Sequence, residues 1–251
     1  GGQFWPLDPR PEEVHLGDIA HALSLICRYN GHTSRFYSVA EHSILMARAM
    51  AETGAGDFLV LRGLLHDAAE AYICDVVRPL KRSMPDYCDA EKRIESVIWE
   101  RFGLVGSVVD GDIGRLVKHF DDAILYDEAK ALMGVHCIAW HERFAPGLGV
   151  QIVGMQPSEA ESAFLKMFER HGGNRRISEL EQALAAVRAE RDQAVREWDE
   201  ELRARECERF GPVPRKHADH PFIPLSGSQD ATGTYTRCGV HGCMLAPEQH
   251  A

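Results

Sequence analysis

The sequence predicts an all-α fold, a helical bundle followed by a long C-terminal helix and an irregular tail, and three observations carry that expectation. Apolar residues recur at three- and four-residue intervals through most of positions 1–172, with Gly and Pro as punctuation between the runs. Only Val150 to Val153 looks briefly strand-like. From Ile177 to Trp198 a 3-4-3-4 apolar spacing flanked by Glu and Arg reads as one long exposed helix.

The elements follow in order. After a Pro-rich start (Pro6, Pro9, Pro11), the segment from Asp18 to Arg28 puts Ile19, Ala22, Leu23 and Ile26 on one helical face and stops at Asn30-Gly31. Ser38-Val39-Ala40-Glu41 reads as a capping box that opens a helix running to Gly54, with His42 in its first turn. A third helix starts near Asp57 and is apolar through Leu65 before it reaches His66, Asp67 and Glu70, where a buried helix would otherwise continue. Helices are also expected over Asp86 to Phe102, closed by Gly103, over Asp110 to Met133, and over Ser158 to His171.

The breaker Gly172-Gly173-Asn174 divides the chain into an expected catalytic domain at 1–172, an extended helix at 173–210 and an irregular tail at 211–251. The helix carries Ile177, Leu180, Leu184, Val187, Arg191, Ala194 and Trp198 along one seam. That seam suits an intramolecular docking helix or a homodimer zipper equally well. In the tail, Cys238, His241 and Cys243, with Cys207, His217, His220 and His250 elsewhere, are compatible with a small zinc staple, although the spacing departs from a paired Cys-x2-Cys ribbon.

Bulk properties exclude several classes. At 251 residues the chain can bury a sizeable core, and 38 acidic against 28 basic residues give a net charge of -10. Such a surface disfavours adhesion to nucleic acid, so a phosphate site would be a local basic spot. Seven cysteines, an odd number, and no basic start with an apolar core in the first thirty residues point to a reducing cytoplasm. Charged residues or His interrupt every apolar run before the ~18 residues a bilayer crossing needs, so a soluble protein with no membrane partner is expected.

Chemistry gathers around His66 and Asp67. On a helix the two would lie about 100° apart, able to lean toward one ion, with Glu70 on the same side. An imidazole beside a carboxylate suits a divalent metal. Read alone, such a pair is more often structural.

The segments FYSVAEHS at Phe36 to Ser43, LLHDAAEA at Leu64 to Ala71, and VKHFD at Val117 to Asp121 through Glu128 resemble the HD phosphohydrolase superfamily in the order His, His-Asp, Asp. The resemblance covers roughly residues 4 to 170 and looks closest to the bacterial 5'-deoxyribonucleotidases and the phage dATP triphosphohydrolases. It implies an HD-domain helical bundle with a divalent metal ion, Co, Mn, Zn or Mg, on His42, His66, Asp67 and Asp121. Asp121 is preferred to Asp122 because it lies two helical turns before Glu128. The resemblance further implies Glu70 and Asp75 as catalytic carboxylates, roles undivided, and Arg28 and Lys81 as phosphate-binding cations, with Arg78 a further candidate. His32, His119, His136 and His141 read as ordinary histidines rather than ligands of a second metal.

The expected activity is hydrolysis of a deoxynucleotide at the phosphate next to the sugar, releasing a deoxynucleoside with phosphate or with triphosphate. The alternative is a nucleotide-binding module that signals through its coiled-coil tail.

Overall fold

The computed structural model describes residues 2–105, 110–133, 146–210, 236–237 and 244–245, and they are mostly helical. A 3-10 turn at Pro11–Glu13 leads into α1 (Leu16–Leu25), and a second at Arg28–Gly31 precedes α2 (Val39–Glu52) and α3 (Asp57–Leu64). Two single-turn helices, α4 (Glu70–Ile73) and α5 (Arg78–Lys81), are followed by α6 (Pro85–Arg101) and α7 (Asp110–Leu132). Last come α8 (Pro157–Arg170), α9 (Gly173–Phe210), and two short antiparallel strands, β1 (Thr236–Arg237) and β2 (Met244–Leu245), with Thr236 opposite Leu245.

The chain divides into two compact units, Gly1–Gln182 and Ala183–Ala251. In the first, α2 is the central element. Eleven of its fourteen residues are buried, which is how a helix packed on all sides behaves, and α1, α3, α7 and α8 surround it. Ser38 caps its start, Oγ accepting from the Glu41 amide at 3.1 Å. The other half of the expected capping box does not form.

The Glu41 carboxylate is instead turned into the bundle, where Oε1 accepts from the amides of Val153 (3.1 Å) and Gly154 (2.9 Å) and Oε2 from Met155 (2.6 Å). Asp127 on α7 takes the amides of Gly149 (2.9 Å) and Val150 (3.4 Å) in the same way. The apolar run Val150 to Val153 is therefore not a strand but a strap whose amides are satisfied by carboxylates.

The third helix also ends earlier than its apolar pattern suggests. Leu65, at φ -101° and ψ 8°, terminates α3, and residues 65–69 form consecutive turns that carry His66 and Asp67. The two ligand candidates thus sit in a turn rather than on a helical face.

Gly172, with φ +76°, turns the chain after α8, and α9 begins at once. Its residues up to Gln182 belong to the first unit. Ile177 packs on the core, the Leu180 side chain lies over Gly103 where a Cβ would stand 2.8 Å away, and Arg101 pairs with Glu181 at 3.2 Å. In the second unit Leu184, Val187, Val195 and Trp198 are all half exposed or more. The proposed zinc cluster at Cys238, His241 and Cys243 lies outside the described residues, as do His136, His141, His217, His220, His250 and the Cys207 side chain. Among the described residues no helix is long and apolar enough to cross a membrane.

Candidate metal centre

Three separated pieces of chain converge on one point. Helix α2 brings His42, the turn after α3 brings His66 and Asp67, and α7 brings Asp121. His42 Nε2 stands 3.3 Å from His66 Nε2, 3.7 Å from Asp67 Oδ2 and 3.4 Å from Asp121 Oδ1, while His66 Nε2 is 3.1 Å from Asp67 Oδ2 and 3.8 Å from Asp121 Oδ1.

The protons on the imidazoles follow from their other nitrogens. His42 Nδ1 donates to Glu128 Oε1 at 2.5 Å, and His66 Nδ1 donates to the Gly63 carbonyl at 2.8 Å. With the rings neutral, both Nε2 atoms are acceptors, and they face two carboxylate oxygens. Four acceptors pointed at one another have no internal donor. A cation between them, or a proton taken up by His66, resolves the conflict.

Spacing gives a second test. Ligand atoms about 2.0–2.1 Å from a shared ion stand about 3.0–3.4 Å apart; the His42, His66 and Asp67 atoms, 3.1 to 3.7 Å from one another, need only a small contraction to fit one, while Asp121, 3.4 and 3.8 Å from the two imidazoles, stands outside that mutually close trio. Two imidazoles and two carboxylates also form a donor set suited to a divalent transition metal.

Beneath this cluster lies a wholly buried carboxylate that the resemblance-based site did not include. Glu128 accepts from His42, from the Tyr37 hydroxyl at 2.7 Å and from the Tyr29 hydroxyl, with Arg28 Nε at 3.9 Å. Burial alone would raise its pKa, yet His42, Arg28 and the Tyr29 hydroxyl hold it below the ordinary carboxylate value. Tyr29 reaches it because Tyr29 and Asn30 both adopt left-handed backbone, φ 56° and 49°, a rare run without glycine. Glu128 repeats the Asp121 face after two turns, a signal present in the spacing; the tyrosines arrive by tertiary packing, which spacing does not encode.

Arg28 is buried and already engaged, its Nη1 donating to Asp67 Oδ2 at 2.9 Å. Burial opposes the charge on Asp67, but His66, Arg28 and His42 hold its pKa well below the usual range. Burial likewise disfavours a proton on His66, and Asp67 and Asp121 outweigh it, so the cluster's field favours positive charge.

Glu70 is buried, with Oε2 unpartnered, and burial, then Asp67 and Asp75, pushes its pKa well up. Asp75 is raised as well, chiefly by burial. Between them Cys74 takes φ 67° and ψ 161°, backbone that L-residues rarely adopt, and this sharp bend places Asp75 beside the cleft.

The cleft above the cluster has a volume of about 1010 Å³ and is lined by His66, Asp67, Glu70, Asp75 and Asp121 together with cationic side chains. Arg78 donates to Asp121 Oδ2 (2.6 Å) and Asp122 Oδ1 (2.7 Å), and Lys118 bonds the same two oxygens at 2.9 and 2.7 Å. Asp121 thus turns Oδ1 to the histidines and Oδ2 to the cations, while Asp122 faces only the cations. Lys81 also lines the cleft, its ammonium paired with Glu91. His32 and His119 are exposed and take no part.

No family model matches the chain. It is 44% identical over 104 residues to the uncharacterized protein YfdR of Escherichia coli K12, a stretch covering 41% of this chain and 56% of that protein. It is 37% identical over 133 residues to the uncharacterized protein RCAP_rcc00048 of Rhodobacter capsulatus, covering 51% of this chain and 67% of that protein. The match thus spans little more than half the length of the E. coli relative.

Proposed function

We propose that this chain, which belongs to one family with the uncharacterized protein RCAP_rcc00048 of Rhodobacter capsulatus, is a metal-dependent phosphohydrolase of the HD type acting on deoxynucleotides at the phosphate next to the sugar. The observation that carries this reading is the meeting of two imidazole nitrogens, His42 Nε2 and His66 Nε2, with two carboxylate oxygens, Asp67 Oδ2 and Asp121 Oδ1, in one buried cluster. A divalent ion there supplies Lewis acidity and acidifies a bound water.

The remaining work falls to the chain's own groups. Glu128 and the Gly63 carbonyl fix the two imidazoles with Nε2 toward the cluster, so the ligand geometry is set before anything binds. Glu70 and Asp75, both with pKa values raised by burial, hold a proton more readily than an ordinary carboxylate and are suited to pass one to the leaving sugar oxygen. Arg78 and Lys118, which share Asp121 and Asp122, face the cleft where phosphate oxygens would lie, with Lys81 and Arg28 also on its lining.

The test is turnover of deoxynucleoside mono- and triphosphates under Mn, Co, Mg and Zn, with phosphate and triphosphate resolved as products. Release of a deoxynucleoside, abolished in Asp67→Ala, is the expected result. Absence of turnover with every nucleotide and metal, or full activity in Asp67→Ala, overturns the reading.

A further inference from the structure

The lining of the cleft sorts by element. Arg28, Arg78 and Lys118 stand with the metal-ligand candidates, whereas α6 contributes a different row, Glu91, Glu95 and Trp99, spaced four residues apart on one helical face. At about 1.5 Å rise per residue the row runs about 12 Å along the cleft. Lys81 neutralises Glu91 at one end.

At the other end Arg62 lies over the Trp99 ring, its Cζ 4.2 Å from the centroid, and donates from Nη1 to the Leu104 carbonyl at 2.8 Å. That bond and the stack hold the indole as a rigid wall. Glu95 sits between the two ends, partly buried, and among the described residues nothing donates to its carboxyl. Burial first and Glu91 second push it up to about 7, against the pull of Lys81.

A phosphorylated nucleoside has one anionic end and one flat, uncharged end. For the first, α6 itself offers only carboxyl groups, one of them neutralised by Lys81, whereas the cations beside Asp121 attract it. The flat end is thereby directed to α6.

We infer that the α6 wall is a nucleobase subsite, in which an amino-bearing base such as adenine lies against the Arg62–Trp99 stack and donates its exocyclic amino hydrogen to Glu95. This rests on the reading that the cleft takes a nucleotide. Aromatic stacking accepts any base, so selectivity comes from Glu95, whose carboxylate accepts from the exocyclic amino group of adenine and meets an acceptor, the O4 carbonyl, at the same position of thymine.

The probe is deoxyadenosine, which has no phosphate to hydrolyse, titrated into the full chain carrying Trp5→Phe, Trp140→Phe and Trp198→Phe so that Trp99 alone emits. Saturable quenching is expected, with none from deoxyribose 5-phosphate at the same concentrations. By calorimetry on the otherwise native chain, Trp99→Ala weakens deoxyadenosine about tenfold and Trp99→Phe less than about threefold, the order of one base–aromatic stack. Glu95→Leu erases a preference of about fivefold for deoxyadenosine over deoxythymidine, the order of one hydrogen bond. Silent Trp99 emission, equal quenching by deoxyribose 5-phosphate, or unchanged affinity in Trp99→Ala overturns the subsite. Nucleotide turnover with a silent Trp99 removes the subsite and leaves the hydrolase reading standing; quenching by deoxyadenosine in a chain that turns over nothing does the reverse.

Discussion

Replacing Glu128 by Gln removes one charge and almost no volume, and its effect can be worked from the contacts. The carboxylate accepts from His42 Nδ1 at 2.5 Å, from Tyr37 at 2.7 Å and from Tyr29, and compensates Arg28 at 3.9 Å, all out of contact with water. A hydrogen bond to a charged partner contributes about 1.5–3 kcal/mol against about 0.5–1.5 for a neutral one, so weakening three of them loses roughly 3 kcal/mol. Leaving the buried Arg28 less compensated brings the loss to about 3–5 kcal/mol. At roughly 2–4 °C per kcal/mol for a domain of this size, melting should fall by about 10 °C. The amide nitrogen can also present hydrogens to His42 Nδ1, favouring the tautomer with its proton on Nε2, the atom aimed at the other three acceptors. Affinity for Mn or Zn should therefore fall about 10- to 100-fold. Differential scanning calorimetry and metal titration measure the two effects, with Tyr37→Phe as a milder companion that loses about 1 kcal/mol. A Glu128→Gln protein that melts within about 2 °C of the parent and binds metal equally well would refute the claim that this carboxylate organises the centre.

Two further outcomes follow from the structure. Glu95 has a folded pKa of about 7 above its unfolded value of about 4.3; between the two the folded state holds more proton, so stability is greatest below the lower value and declines as pH rises through the higher. The decline should be about 1–3 kcal/mol across that window, and pH-dependent melting of Glu95→Gln beside the parent measures it; identical slopes would contradict the assignment. A chain ending at Gln182 keeps the Ile177 and Leu180 contacts and should melt and turn over like the full chain. One ending at Gly172 loses them and about 2–4 kcal/mol, which thermal melts of the two truncations would show, equal melting being the contrary result.

The helical layout was legible because α6 and α8 begin and end on residues whose backbone chemistry is local: Pro85 and Pro157 in the first turn, Gly103 at φ +64° and Gly172 at φ +76° just past the ends. The candidate ligands were legible for a different reason, their order along three motifs. Local reading failed where a side chain answers to a distant partner. The Glu41 spacing suggests a cap, but three amides more than a hundred residues away take its oxygens. The apolar run before His66 suggests a continuous helix, but a turn that seats Nδ1 on Gly63 ends it. Pairing of Lys81 with Glu91, and of Arg78 with Asp121, depends on how α5 meets α6 and α7, which no sequence interval records.

The strap at 149–155 ties down Glu41 and Asp127, and these are the immediate chain neighbours of His42 and Glu128, the two residues joined at the heart of the centre. Facing helical turns of α2 and α7 are thus laced twice, once through the imidazole and once from the side through backbone amides. The second lacing joins positions up to 114 residues apart, against 86 for the imidazole bond, so both are long-range contacts of nearly equal closure cost. A chain with its helices assembled but the strap undocked holds those turns by one stitch, and the spacing of the four site atoms gains stiffness when the strap docks. Loosening the strap would then soften the site without touching any of the four residues that form it.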